Sequence, residues 1–169
     1  MKIRVFIIVA IVALATFMVM TSVQKLQNRK YIGSKVKVLS TLLTEHLQSV
    51  DHTSEPVSYL QPTLLVYLNS ECNFCIRQTE LINENNNLLD QYQLILVSFE
   101  PAEQIRKFIK NYENLAAGNY FLYNVDAEKV EEIFGRTTSP QLFIYQDNLL
   151  VSSHKGITEP NIIIKSLQP

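Results

Sequence analysis

Cysteine and histidine are scarce in this chain, and no charge of either sign dominates it. Two cysteines and three scattered histidines leave no second half-site for a structural zinc centre, which needs four ligands. Fifteen lysines and arginines against sixteen aspartates and glutamates give a formal net charge of −1. The basic stripe that phosphate-backbone binding requires is missing, which argues against nucleic acid as a partner. No repeat at a solenoid period occurs, and the one low-complexity tract is the short NENNN at residues 83–87. With 169 residues, 47% of them hydrophobic, the chain can bury one core but is too short to expect two independent domains.

What is there begins with an apolar run. VFIIVAIVALATFMVM, residues 5–20, has Thr16 as its only polar side chain, and Ile3 to Val23 extends it to 21 positions if Arg4 snorkels. At about 1.5 Å per helical residue that length crosses a hydrocarbon core of roughly 30 Å. No small-x-small pair stands where a signal peptidase would cut and no lipidation cysteine follows, which favours an uncleaved anchor over a removed signal peptide. Lys2 and Arg4 face Lys25, Arg29 and Lys30 across the run, so the positive-inside rule nearly ties.

After the anchor, Ile32, Val36, Leu39, Leu43, His46 and Val50 recur at spacings of four and three. This predicts a helical stalk over 25–50, interrupted at Gly33, whose seam lies on the domain or the membrane surface. DHTSEPVSYLQP, residues 51–62, reads as a connection, with His52 solvated within it. The expected organisation is thus an anchor over 1–24, stalk and linker over 25–60, and a domain over 61–169.

From Thr63 onward short apolar runs alternate with amphipathic stretches. TLLVYL (63–68) and QLILVS (93–98) suit parallel strands covered on both faces. Between them a helix opens at the cysteine pair, with Phe74, Leu81 and Ile82 on one side. Pro101 is placed to start the next helix, with Ile105, Phe108 and Ile109 as its buried stripe. NYFLYNV (119–125) reads as a strand and DAEKVEEIFG (126–135) as a helix with an Asp cap and a closing Gly. QLFIYQ, the turn Asp147-Asn148 and LLVSSH form a hairpin, and a helix over 159–167 ends the chain. This order predicts an α/β sandwich.

Both cysteines lie in YLNSECNFCIRQ, residues 67–78. Two ordinary core thiols would account for the low count but not for their place at a strand-to-helix junction. A cysteine in the first turn of a helix faces unpaired amide N–H groups and the positive end of the helix dipole, which favour the thiolate, the nucleophile in disulfide exchange. Cys72 holds that place. Cys75, one turn further, can attack a mixed disulfide on Cys72 and release the substrate while being itself more buried.

PTLLVYLNSECNFC, followed by TTSPQLFIY and HKG, resembles the thioredoxin-like superfamily, and within it the membrane-tethered, TlpA-like thiol-disulfide oxidoreductases and related redoxin domains of bacteria. The resemblance spans Gln61 to Pro169. It implies a thioredoxin-like sandwich, a central mixed sheet flanked by helices. It also implies that Pro140 is the cis-proline facing the CxxC and that Ser139 offers backbone hydrogen bonds to a bound substrate chain. A copper chaperone of this class would carry a histidine near the cysteines, where His154 is the only candidate, and a peroxidase would carry threonine where Asn69 stands.

The chain departs from the pattern in places. TlpA-like proteins usually have tryptophan before the first cysteine; here it is Glu71, in a chain with no tryptophan, so the substrate surface must differ. The acidic residue six positions after the first cysteine is Gln78, and the buried aspartate six before it is Val66. Glu80 and Glu100 are stand-ins as proton acceptor for Cys75, although the plainer reading makes both solvated surface groups. Glu71 should disfavour the Cys72 thiolate, with Arg77 offsetting part of that effect.

Together these features imply a thiol-disulfide oxidoreductase, reductant or isomerase. It would be anchored by residues 3–23 in the bacterial inner membrane, its C-terminal domain in the periplasm. Its partners would be protein thiols and disulfides and a membrane or envelope electron donor, with no metal or organic cofactor. The second reading is a redox-inert or metal-delivering binding module on the same fold.

Overall fold

The computed structural model describes residues 14, 16–18, 20, 35–50, 56–117, 120–136 and 138–166. Most of the expected anchor lies outside them. Its described residues are helical, with Leu14, Phe17, Met18 and Met20 exposed. Among the described residues no helix is long and apolar enough to cross a membrane.

Six strands form one sheet in the order β1-β4-β3-β2-β5-β6. β2 (Thr63–Tyr67) and β3 (Gln93–Ser98) fall on the two continuous apolar runs and pair in parallel, Thr63 opposite Gln93 and Tyr67 opposite Val97. β4 (Tyr120–Asn124) adds in parallel to β3. β5 (Gln141–Gln146) runs antiparallel to β2, and β6 (Leu149–Lys155) antiparallel to β5. Their turn puts Asp147 at φ 50° and Asn148 at φ 70°, the left-handed pair that a two-residue hairpin demands and that Asp and Asn tolerate.

The predicted stalk is different in kind. Its described part, residues 35–50, is built into the fold. Leu39–Thr41 is helical and widens into a π-helical turn over Leu42–His46; we call this segment α1. It is followed by β1 (Gln48–Ser49), antiparallel to β4 at the sheet edge. Val36, Leu39, Leu42, Leu43 and Leu47 are buried against Leu65, Tyr67, Phe143 and Tyr145. The three-four seam therefore ran along the sheet, and the packed unit begins well before residue 61. Ile32, Gly33 and His52 lie outside the described residues.

The remaining helices complete two layers. α2 (Asn73–Glu84), α3 (Asn86–Leu89), α4 (Ala102–Ile109) and α5 (Glu113–Ala117) precede β4. α6 (Val130–Phe134) follows a 3₁₀ turn over Ala127–Lys129 and ends at Gly135, whose φ of 82° explains the glycine. α7 (Pro160–Lys165) closes the domain. α4 buries the three residues expected of it, Ile105, Phe108 and Ile109. Asp126 does not cap by its side chain; it pairs with Lys129 at 2.9 Å instead. Sheet residues alternate between two cores. Leu64, Val66, Leu142 and Ile144 meet α2, α4 and α7, whereas Leu65, Tyr67, Phe143 and Tyr145 meet α1 and α6.

Candidate active site

β2 delivers the chain to the carboxyl ends of the parallel strands, where Leu68 N–H still donates to Val97 O at 3.0 Å. The chain then turns: Cys72 N–H donates to Asn69 O at 3.3 Å, and Ile76 N–H to Cys72 O at 2.9 Å. Cys72 is thus the residue that caps α2, in extended backbone conformation, and it is half-buried while Cys75 is wholly buried. Both are free thiols.

The sulfurs differ in their surroundings. Cys72 Sγ donates to the carbonyl of Ser139 at 3.5 Å, and the Ser139-Pro140 bond is cis. Cys75 Sγ accepts from Asn69 N–H at 3.3 Å. Burial pushes the Cys75 thiol up to about 12; the Asn69 amide opposes this, while Cys72 and the charge of Glu100 add to it.

In α2 Asn73 and Phe74 are exposed, whereas Cys75, Gln78, Thr79 and Ile82 follow at three-four spacing on the buried side. Phe74 is a correction: it was expected on the apolar stripe with Leu81 and Ile82, but it is 62% exposed, in the turn that projects beyond the sheet. Gln78 is buried because its amide closes a two-way clasp. Thr158 N–H donates to Oε1 at 2.7 Å, and Nε2 donates to Thr158 O at 3.2 Å. That clasp, with Gly156 N–H on Pro140 O at 2.8 Å, ties the segment after β6 to both Pro140 and α2, and Ile157 between the two bonds is exposed.

Two further expectations change. Arg77 pairs with Glu80 at 3.0 Å and Glu84 at 3.8 Å on its own helix, so Glu80 is the surface group expected and Arg77 is committed to carboxylates. Glu71 is exposed, its N–H held by Asn69 Oδ1 at 2.8 Å. Glu100 is not a solvated strand-end group. It is 6% exposed, and its carboxylate accepts from Ser70 N–H and Ser70 Oγ, both at 2.7 Å, from Gln104 Nε2 at 2.8 Å and from Ser98 Oγ at 3.2 Å. Four donors converge from three parts of the chain, which sequence spacing alone does not reveal. Val66 is buried in the core beneath Cys75.

His154 is held by Ser152 and Ser166, at 3.2 and 3.3 Å. Among the described residues no group of three or more His, Cys, Asp or Glu side chains could hold a metal ion. A cavity of about 400 Å³ lies at the opposite end of the strands from the thiols, among Leu89, Tyr92, Gln93, Tyr120 and Phe121.

This architecture matches solved structures. A thioredoxin-like protein from Aeropyrum pernix superposes with a TM-score of 0.58 over 87% of this chain and 99% of its own, at 14% identity. The fold is thioredoxin-like. StoA from Bacillus subtilis gives a TM-score of 0.54 over 73% of this chain and 95% of its own, at 15% identity. The pneumococcal exposed lipoprotein thioredoxin Etrx1 from Streptococcus pneumoniae gives 0.51 over 65% and 85%, at 18% identity. No protein-family model and no curated protein sequence matches this chain. What the thioredoxin-like fold places together here is an accessible thiol at a helix start, a protected thiol one turn on, and a cis-proline opposite them.

Proposed function

We propose that this protein exchanges disulfides with protein thiols through Cys72 as nucleophile and Cys75 as resolver. The observation that carries this reading is the asymmetry of the pair. Cys72, half-buried at the start of α2, points at the Ser139 carbonyl, while Cys75, fully buried in the core, accepts from the Asn69 amide. Ser139 and Pro140 form the wall against which a substrate segment lies.

In the same reading, residues 3–23 hold the chain in a bacterial inner membrane, with the domain in the periplasm and electrons supplied by a membrane or envelope donor. The apolar run in the sequence supports the anchor. The orientation rests on the use of a disulfide-exchange domain outside the cytoplasm, where thiols oxidise. The dithiol acts as a reductant or isomerase.

The test is a trap. Replacing Cys75 with Ser in the full-length chain should accumulate mixed disulfides with envelope proteins through Cys72, released by reductant, and replacing Cys72 as well should remove them. A chain whose Cys75→Ser variant never forms such adducts is a redox-inert module. A reporter active only in the periplasm, fused after Pro169, should give signal; activity of a cytoplasmic reporter at the same place reverses the orientation.

A further inference from the structure

The buried carboxylate of Glu100 makes no ion pair among the described residues, and the exchange chemistry assigned to Cys72 and Cys75 does not use it. A buried charge is costly unless it is paired or well hydrogen-bonded, and here four donors fix the carboxylate in place. Two of its four donors belong to Ser70, the residue between Asn69, whose amide touches Cys75 Sγ, and Glu71, which precedes Cys72. Gln104 braces the arrangement from α4, donating to both Glu100 Oε1 at 2.8 Å and Ser70 Oγ at 3.1 Å. Asn124 Nδ2, at the end of β4, donates to the Glu100 carbonyl at 2.7 Å, so the grip is fixed to the sheet.

We propose that Glu100 is a positioning residue of the dithiol: through Ser70 it holds the Asn69 amide on the sulfur of Cys75, and so governs the step in which Cys75 closes the protein's own disulfide. This rests on the exchange reading above. In that reaction the Cys72 thiolate attacks a substrate disulfide, the substrate S–S bond breaks, and one substrate thiolate leaves and is protonated. Cys75 then attacks Cys72 Sγ, its proton passing to the departing substrate sulfur. The mixed disulfide breaks, the second substrate thiolate leaves and is protonated, and two electrons have passed from the dithiol to the substrate disulfide. The Asn69 amide is the group that favours the anion Cys75 must become. The negative charge of Glu100 opposes that anion, but weakly, so keeping the latch outweighs the charge.

The experiment uses the reduced full-length chain in detergent and the dithiobis(nitrobenzoate) disulfide as probe. The first nitrothiobenzoate released reports attack by Cys72, and the second reports closure by Cys75. Glu100→Ala should slow the second release by about tenfold, the loss of one hydrogen bond to a developing charge, and leave the first within about twofold. Glu100→Gln, which keeps an acceptor for Ser70, should recover most of the rate. Ser70→Ala, which removes only the hydroxyl bonds, should slow the second release by about threefold, and serves if Glu100→Ala does not fold. Equal slowing of both releases, an unchanged second release, or a Glu100→Gln variant as slow as Glu100→Ala overturns the positioning role. A wild-type chain that releases only the first equivalent overturns the exchange reading itself, and the latch with it.

Discussion

The two faces of the sheet are made from alternate residues of the same strands, yet only one carries a thiol. Toward α2, Leu64, Val66, Leu142 and Ile144 pack with Cys75 and Ile82. Toward α1, Leu65, Tyr67, Phe143 and Tyr145 pack with Leu39, Leu42 and Phe134, with ring stacking of Tyr67 on Phe134 at 5.1 Å. The Tyr145 hydroxyl, deep in that layer, donates to Val36 O at 2.9 Å. One layer therefore holds both thiols, and the other is built of aliphatic and aromatic side chains. Separation of this kind lets the reactive face hold an exposed aromatic, a buried acid and an unbridged thiol pair without the whole domain resting on them.

The largest effect that would sharpen the contrast is on the packing face. Leu42→Ala, at a fully buried position, should cost about 3 kcal/mol of unfolding free energy in denaturant titration, while the folded variant keeps the Cys72 alkylation rate. If reactivity fell with stability in the folded protein, the two layers would not be separable.

On the reactive face, limiting alkylating reagent near neutral pH should modify Cys72 at least about tenfold faster than Cys75, as read by mass spectrometry of the labelled peptides. Equal labelling would undo the assignment of roles.

A third effect follows from burial of Cys75. With Cys75 moved from 9.0 to about 12, the unfolded chain sheds a proton between those values that the folded chain keeps. This contribution to the stability of the reduced protein is complete below pH 9 and is lost as pH rises toward 12, by roughly 1 kcal/mol per unit. The difference between wild type and Cys75→Ala across that window measures it; a flat difference would show that the thiol is not confined.

The smallest effect is electrostatic. With Glu71 exposed before the pair and no cation between the cysteines, the potential is expected nearer that of thioredoxin, about −270 mV, than that of DsbA, about −120 mV. Glu71→Gln should raise it by about 10 mV, since an exposed charge is well screened. A wild-type value above about −180 mV would make the protein an oxidant.

The reactive layer was the more legible of the two in the sequence. Continuous apolar runs marked β2 and β3, three-four spacing marked α4, and Asp147-Asn148 marked the hairpin, because each signal is local. The packing layer was half hidden. The seam through Val36, Leu39 and Leu43 shows which side of a helix is apolar but not what covers it, and a two-residue strand such as β1 leaves no period to read. Phe74 and Glu100 were misplaced for a related reason. An apolar residue in a helix's first turn projects beyond the core, and an acid at a strand end is buried only if donors from distant segments converge on it. Gln78 stood out as a departure from the family pattern, but its clasp on Thr158 joins positions too far apart in the chain for spacing to suggest.

The way the chain enters the domain has a mechanical meaning. Leu39 N–H donates to Asn148 O at 3.0 Å and Leu150 N–H to Lys37 O at 2.9 Å, so the amino-terminal segment is fastened to the β5-β6 turn. That turn sits beside the start of β2, as Thr63 opposite Tyr145 shows, whereas Cys72 follows the strand's other end. Five residues of β2 separate the two points by roughly 16 Å. The segment at residues 37–39 is thus held at the hairpin end of the sheet, and the two sulfurs lie at the other end.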